Sequence, residues 1–198
     1  KPFVADSPAW ANTFTCIRKL GFEEPLKKLD VPVRQLNKPS NCQINGTTVG
    51  ISSLALNADV IINLPKFKSH QQLVATFAVK NMFGCVTGKK KAFWHFKKGK
   101  HEEDFCRLLI GIYKYLNPAL TIIDAVTVMD GPGPISGRAR PLGFLIGGTD
   151  PFNCEIICCK LVNLNPANIP IIATARKMGL TPPDFDRVEI LGDNFPEK

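Results

Sequence analysis

The sequence has no apolar run that approaches the roughly 20 residues needed to span a bilayer. Its first residues, Lys1-Pro2-Phe3-Val4, are neither a signal peptide nor an initiator methionine. We therefore expect no membrane partner, and we expect the chain to be an N-terminally truncated fragment. The odd number of cysteines, seven, favours a reduced, cytoplasmic compartment. Because 44% of its 198 residues are apolar and the composition shows no break, we expect residues 1–198 to form a single domain.

Patterns that bind metals are also scarce. The seven cysteines include no C-x-x-C pair, which zinc and iron-sulfur sites favour. The histidines, His70, His95 and His101, are not spaced as metal ligands. The sequence thus predicts no metal site and no cofactor encoded in this chain, so an iron-sulfur cluster could enter only through a partner or a missing segment.

Two glycine-containing segments lack the spacing of nucleotide-binding loops. Residues 84–89 hold three residues between their glycines, where a phosphate loop needs four, and Lys90 stands where a Ser or Thr is required. Residues 131–137 carry two prolines and do not open a helix, as a dinucleotide-binding fingerprint must. Neither segment predicts a nucleotide site of these two classes.

The net charge of +8 is concentrated in one segment, residues 89–101, where six lysines flank Phe93, Trp94 and Phe96. Lysines and aromatics together could clamp and stack single-stranded nucleic acid. They could also form a lid over a nearby site, or a positive surface that steers a partner protein. We favour the lid, and keep the other two interpretations as alternatives.

Strand and helix patterns alternate along the chain. The predicted strands cover residues 3–5, 31–36, 58–64, 120–129, 142–147 and 187–191, and Asn45-Gly46 predicts a hairpin turn. The predicted helices cover residues 7–20, 71–82, 102–116, 152–162 and 170–178. This order predicts an α/β fold, a three-layer sandwich with a mostly parallel sheet and one β-hairpin.

Polar side chains follow several predicted strands at the point where each strand ends. They are Asp6, then Lys66, Lys68 and His70, then Asp130, then Asp150. Ligands of open α/β sheets bind beyond the carboxyl ends of parallel strands. If these strands are parallel, the residues share a rim, and we expect an anionic small molecule to bind there.

Each candidate site residue also has a purely structural interpretation. Alternation puts Lys66, Lys68 and His70 on one face, which suits a phosphate or carboxylate but equally a solvated loop. Lys80 and Asn81 could hold a substrate oxygen, with Lys80 as a base, or could simply end a helix with a cation.

The acidic and glycine candidates are similarly open. Gly131 and Gly133 allow a ligand close to the backbone, or only a tight loop. Asp124 interrupts an apolar strand and points to the pocket or to a structural hydrogen bond. Asp150 is in an N-cap position, and Glu155 favours the same helix N-terminus. The catalytic residues remain unknown, with Lys80, Asp130 and Asp150 as candidates.

Four blocks, "ADVIINLPKFKSH", "FAVKNMFGCVTGKKKAFWH", "LTIIDAVTVMDGPGPISG" and "GGTDPFNCE", occur in the order of the signature blocks of a known family. The chain resembles the domain of unknown function 362 family from about Asp6 to Gly192. Members occur alone or beside ferredoxin-type iron-sulfur modules. The resemblance implies motif positions at Lys66, Lys68, His70, Lys80, Asn81, Gly84, His95, Asp124, Gly131, Gly133, Pro134, Asp150 and Glu155.

The chain departs from the family pattern at two carboxylates. Asp130 stands where members usually have Glu, and Glu155 where they usually have Asp, so each carboxylate moves by one methylene. The family's additional N-terminal strand and its ferredoxin cysteines are absent. Residues 70–88 also resemble, in their His, Lys and final Gly, a stretch of lactate racemase-type enzymes, whose lysine carries a nickel pincer cofactor.

The sequence therefore predicts binding of an anionic small molecule, through Lys66, Lys68, His70, Lys80, Asn81, Gly131 and Gly133. Asp6, Asp124, His95 and Glu155 are expected to support that site, and an enzymatic role is a hypothesis. Two alternatives stand beside it. One is an accessory module that docks to a ferredoxin-like partner or passes electrons to it. The other, less favoured, is nucleic-acid binding at residues 89–101.

Overall fold

The computed structural model describes residues 1–8, 11–87, 91, 94, 101–180 and 185–192. Its strands are β1 (Val4–Asp6), β2 (Val33–Gln35), β3 (Pro39–Ile44), β4 (Thr47–Ser52), β5 (Ile62–Asn63), β6 (Lys66–His70), β7 (Val74–Thr76), β8 (Leu120–Asp130) and β9 (Arg138–Gly148). Its helices are α1 (Thr13–Lys19), α2 (Glu23–Lys28), α3 (Ser53–Leu56), α4 (Ala78–Asn81), α5 (Glu102–Leu116), α6 (Pro151–Leu161) and α7 (Pro170–Lys177). Short 3₁₀ turns cover Met82–Cys85, Pro166–Asn168 and Phe185–Arg187.

The central sheet is built around β8. On one side β8 pairs in parallel with β5 near its start and with β6 further along. Strands β5 and β6 are consecutive in the chain and are separated by Leu64 and Pro65. On its other side β8 pairs antiparallel with β9. An antiparallel β7 extends the sheet beyond β6. The parallel β1–β2 pair and the β3–β4 hairpin form two smaller sheets.

Several elements follow the sequence prediction closely. The α/β fold is confirmed, with parallel strand pairs and the predicted hairpin, whose turn residues Asn45 and Gly46 have φ angles of 48° and 72°. Helix α5 has the predicted bounds, because its apolar face is buried and Asn117 ends it in a left-handed conformation.

The hydrophobic core has two parts. One cluster joins α5, the hairpin and the turn after α4, and includes Ile51, Phe83 and Phe105. The other lies between the central sheet and helices α6 and α7, and includes Phe67, Ile123 and Cys158. Helix α4 contributes Val79 to the first cluster and Ala78 to the second, so it lies where the two meet.

Four predicted elements are wrong in extent or type. The helix expected over 7–20 begins at Thr13, with Asn12 as N-cap. The buried strand expected over 58–64 is reduced to β5, which pairs with β8 over two residues, and Val60, Ile62 and Leu64 are exposed. The helix expected over 71–82 is replaced by β7 and the short α4, and residues 187–191 are not a strand.

The direction of β9 corrects the predicted shared rim. Asp130 pairs with Arg138, whereas Thr121 pairs with Gly148, so the carboxyl end of β8 lies beside the amino end of β9. Asp150 follows Gly148 and therefore lies at the opposite end of the sheet from Asp130. These 11-residue strands are roughly 35 Å long. The two carboxylates cannot border one small-molecule site.

Among the described residues, no helix combines the length and the apolar character needed to cross a membrane.

Candidate functional site

Lys80 lies on α4, and its side chain is largely enclosed. Its ammonium lies 4.8 Å from the centroid of the Phe83 ring, one turn further along the chain. Lys68 of β6 and Lys91 are the charged groups with the largest effect on the pKa of Lys80. We call Lys68, Lys80 and Lys91 the lysine cluster.

Burial, followed by the repulsion of Lys68 and Lys91, lowers the pKa of Lys80 from 10.5 to about 8. Within the part of the chain that the structure describes, the Lys80 ammonium has no ion pair with a carboxylate. A partly desolvated cation beside like charges is unfavourable, and a bound anion would relieve it. The charge of Lys80 is therefore poorly compensated by its described surroundings.

Asp6 approaches the lysine cluster from β1. The Lys91 ammonium donates a hydrogen bond to the Ser7 carbonyl oxygen. Burial lowers the pKa of Lys91, although Asp6 acts in the opposite direction. A side chain at Gly84 would place its Cβ 3.3 Å from Asp6 Oδ1, so the glycine leaves room for this carboxylate. Asp6 thus acts on the lysine cluster through Lys91, and its predicted place beside a ligand stays a prediction.

The thiol of Cys85 lies among the same groups. Burial raises its pKa to about 12, and the attraction of Lys91 opposes this only in part. Cys85 is therefore protonated at neutral pH and supplies no negative charge to the lysines.

Helix α4 is held in place by side chains from two other elements. Glu155 Oε1 on α6 accepts a hydrogen bond of 2.9 Å from the Val79 N–H. Asn63 Nδ2 on β5 donates to the Ala78 carbonyl at 2.9 Å, and Asn63 Oδ1 accepts from Asn81 Nδ2 at 2.8 Å. The Asn81 amide, a predicted ligand contact, is thus engaged in holding the helix.

Lys66 faces a carboxylate, unlike Lys80. Its ammonium lies 2.8 Å from Asp124 Oδ2, and both side chains are about half exposed. Burial pushes the pKa of Asp124 upward, but hydrogen bonds from Lys66 and the Val126 N–H outweigh it and hold this pKa below its usual value. Of the two interpretations of Asp124, the structural hydrogen bond is the one found.

His70 ends β6 and is oriented by the backbone that follows it. Its Nδ1 accepts hydrogen bonds of 3.2 Å from the N–H groups of Gln72 and Leu73. In the neutral imidazole the proton then lies on Nε2, which makes this nitrogen a donor. A nitrogen that carries a proton does not bind a metal ion.

The glycine loop after β8 packs against the end of β6. The Gln71 N–H donates to the Gly133 carbonyl at 3.1 Å, and a Cβ on Gly133 would lie 2.1 Å from the Ser69 carbonyl oxygen. Gly131 donates its N–H to Asp130 Oδ1, and Asp130 also faces Arg140 at 3.4 Å. Gly133 is therefore required for packing within the protein, and Asp130 has partners of its own.

Asp150 lies in a different place. Its Oδ1 accepts hydrogen bonds from the N–H groups of Phe152 and Asn153 at 2.8 and 2.9 Å, so it caps α6 as predicted. It borders a cleft of about 390 Å³, also lined by Tyr113 and Thr149, away from the lysine cluster.

Glu155, one turn into the same helix, is fully buried. Its pKa is raised to about 8, chiefly by burial, although the Val79 N–H opposes the shift. Its role is to hold α4 by accepting from Val79, a contact between residues 76 positions apart. Neither this contact nor the involvement of Asn63 was foreseen from the sequence, because no local pattern marks them.

His95 and most of residues 89–101 lie outside the described residues, so the predicted lid stays a prediction. Lys91 was not predicted as a site residue, because nothing distinguishes it from the neighbouring lysines. Across the described ranges, no group of three or more His, Cys, Asp or Glu side chains is close enough to hold a metal ion.

The family resemblance is confirmed by comparison with known proteins. The model of the domain of unknown function DUF362 matches residues 1–160, and the chain belongs to this family. The chain is 37% identical over 184 residues to a thylakoid-associated protein of Synechocystis sp.. The match covers 92% of this chain and 57% of that relative, so the chain spans little more than half of its length. The expected cytoplasmic location of this chain stays a prediction.

A solved structure supports the fold. The apoprotein of lactate racemase from Thermoanaerobacterium thermosaccharolyticum matches with a TM-score of 0.50 and 14% identity. The match covers 74% of this chain and 37% of that one. At this identity the likeness concerns the α/β fold alone.

Proposed function

We propose that the protein binds an anionic small molecule, a carboxylate or a phosphate, at Lys80, with Lys68 and Lys91 as further cationic contacts. This proposal is supported chiefly by the Lys80 ammonium, which is largely enclosed. The charged groups that most lower its pKa are two more lysines. An anion among them would replace repulsion by attraction. The aromatic ring of Phe83 provides an apolar wall beside the ligand.

The contacts of the other predicted ligand residues divide them into two groups. Lys68 stays in the proposed site, whereas His70 is oriented through Nδ1 by the backbone N–H groups that follow it, and the proposal does not depend on it. Lys66 is paired with Asp124, Asn81 is bonded to Asn63, and Gly133 is packed on Ser69, so we assign these three to the framework of the site. Gly131 belongs with the same loop.

Among the catalytic candidates, the surroundings of Lys80 suit chemistry best. With a pKa of about 8, part of the Lys80 population is a neutral amine near neutral pH, and a neutral amine can accept a proton from a bound acid. Asp130 faces Arg140 and Asp150 caps a helix at the other end of the sheet. If the protein is an enzyme, we therefore infer that Lys80 is its base.

The racemase-type alternative would place a nickel cofactor on Lys80. His70 does not fit that cofactor, because its Nδ1 lone pair accepts from the backbone and its Nε2 carries the proton. The described residues also gather no set of metal ligands. The residues around Lys80 therefore do not fit a nickel cofactor of this type.

Binding of defined anions tests the proposal. Inorganic phosphate, citrate and lactate would each be titrated into the full chain by calorimetry, and we expect at least one to bind. Lys80→Gln and Lys68→Gln should each weaken that binding at least tenfold, since each removes a charge next to the ligand.

Lys66→Gln is the matched control. It removes the same kind of charge two residues from Lys68, but one already paired with Asp124, so binding should change less than threefold. Equal binding by wild type and Lys80→Gln would contradict the proposal. So would an equal loss in Lys66→Gln, because it would indicate a general effect of net charge.

A further inference from the structure

Cross-strand pairs define two faces of the central sheet. Ile123 pairs with Ile146 and Ala125 with Phe144, and these residues face helices α6 and α7 in the core. The opposite face carries the alternate pairs Ile122–Gly147 and Asp124–Leu145, together with Ile62–Leu120 from β5. We call this second face the open face.

The open face is apolar although it is accessible to solvent. Leu145 is 66% exposed and Ile62 is 55% exposed. Val60 and Leu64, which alternate with Ile62 along the same extended segment, are 65% and 61% exposed. A sheet face in contact with water normally carries polar residues, and contiguous exposed aliphatic side chains mark an interaction surface.

A specific occupant is indicated by the length of the family relative. This chain corresponds to only 57% of the thylakoid-associated protein of Synechocystis sp.. We propose that the open face docks a further layer of polypeptide, contributed in such relatives by the part that this chain does not match. That layer would present an aliphatic stripe to Ile62, Leu64 and Leu145 and would cover the open face.

The Lys66–Asp124 ion pair favours a protein layer over lipid. Asp124 lies on the open face opposite Leu145, with Lys66 as its partner. Both groups keep hydrogen-bond partners at the polar rim of a protein interface. Lipid hydrocarbon would offer the pair no further hydrogen-bond partner, and transfer of the charges into it is costly.

Cleavage of the intact Synechocystis relative tests this inference. A protease site would be inserted between the part that matches this chain and the remainder, so that the protein folds before it is cut. We expect the two pieces to elute together in size-exclusion chromatography. Lysine at the positions that align with Ile62 and Leu145 should separate them, whereas lysine at the position that aligns with the exposed Ile135 should not.

The 198-residue chain provides the counter-tests. Ile62→Lys and Leu145→Lys should leave its melting temperature within about 2 °C of wild type, since both side chains are mostly exposed. The inference is overturned if the pieces of the relative separate without any substitution, or stay together with both lysines. It is also overturned if this chain forms a dimer that either variant breaks, or binds phosphatidylglycerol vesicles through the open face.

Discussion

The Glu155 carboxyl on α6 accepts a hydrogen bond of 2.9 Å from the Val79 N–H at the start of α4. Among the described residues, no hydrogen-bond partner is found for its second oxygen, Oε2, which is also buried. Burial raises the pKa of Glu155 to about 8, so the carboxyl is mostly protonated at neutral pH. A neutral acid thus holds the helix that carries Lys80.

Glu155→Gln should remove a pH dependence of stability. The folded protein keeps a proton on Glu155 that the unfolded chain releases above about pH 4.5, so the free energy of unfolding falls as pH rises towards about 8. The slope from this group is about 1.4 kcal/mol per pH unit. Urea denaturation from pH 5 to 8 should show this contribution in wild type and not in Glu155→Gln.

Glu103→Gln is the control for this experiment. Glu103 is on the surface of α5 beside Arg107 and Lys177, whose hydrogen bonds hold its pKa below the usual value. Its substitution should leave the slope between pH 6 and 8 unchanged, because Glu103 is ionised there in both states. A Glu155→Gln variant with the wild-type slope would show that Glu155 is ionised in the folded protein.

Lys80→Met should stabilise the protein at pH 7. The lowered pKa of Lys80 means that its protonated form is disfavoured by folding, and this cost is fully present below about pH 8. A methionine of similar length removes the charge, which should raise the free energy of unfolding by on the order of 1–3 kcal/mol. Thermal unfolding should then shift upward by several degrees.

The cost of the Lys80 charge should also disappear as pH rises. Between about pH 8 and 10.5 the folded state binds fewer protons than the unfolded state, so the wild type should gain stability relative to Lys80→Met. Lys66→Met, at the half-exposed ion pair, should change stability by less than about 1 kcal/mol. A melting temperature for Lys80→Met clearly below that of wild type would refute the expectation.

Anion binding should be linked to proton uptake. A negative ligand beside Lys80 raises its pKa, so at pH 8 binding should take up roughly half a proton per ligand. The affinity should decline as pH rises above 8, because the free lysine loses its charge. Calorimetry in buffers of different ionisation enthalpy measures this uptake. Lys80→Gln should abolish it, and an unchanged uptake in that variant would assign the proton to another group.

Gly133→Ala should be far more damaging than Gly131→Ala. An alanine Cβ at position 133 would lie 2.1 Å from the Ser69 carbonyl oxygen, which forces the loop away from β6. Position 131 has open space for a side chain. Alanine there is disfavoured only by the left-handed backbone conformation, with a φ of +83°, which should lower the free energy of unfolding by about 1 kcal/mol. Urea denaturation should give a loss of several kcal/mol for Gly133→Ala. Similar losses in the two variants would contradict the packing explanation.

The parts of the fold that were predicted correctly depend on neighbouring residues in the chain. Asn45 and Gly46 specify a hairpin turn by their own backbone preferences. Asp150 caps α6 because its acceptor and the two donors lie within three residues. Such signals are complete within a short segment, so they can be read without the fold.

The features that were missed depend on partners far along the chain. The pattern of residues 142–147 indicates a strand but not its direction in the sheet. That direction is set by the antiparallel pairing of β9 with β8. The alternation of Lys66, Lys68 and His70 was correctly taken as extended. It could not indicate that Lys66 meets Asp124, 58 residues away, while Lys68 lies near Lys80.

Helix α4 has four residues, too few for its own hydrogen bonds to hold it. Its position depends instead on Asn63 and Glu155, neither of which belongs to the lysine cluster. A random-mutagenesis screen for altered ligand preference should therefore recover substitutions on β5 and α6 as well as around Lys80. The evolutionary freedom of the site would then be governed in part by the framework that carries it.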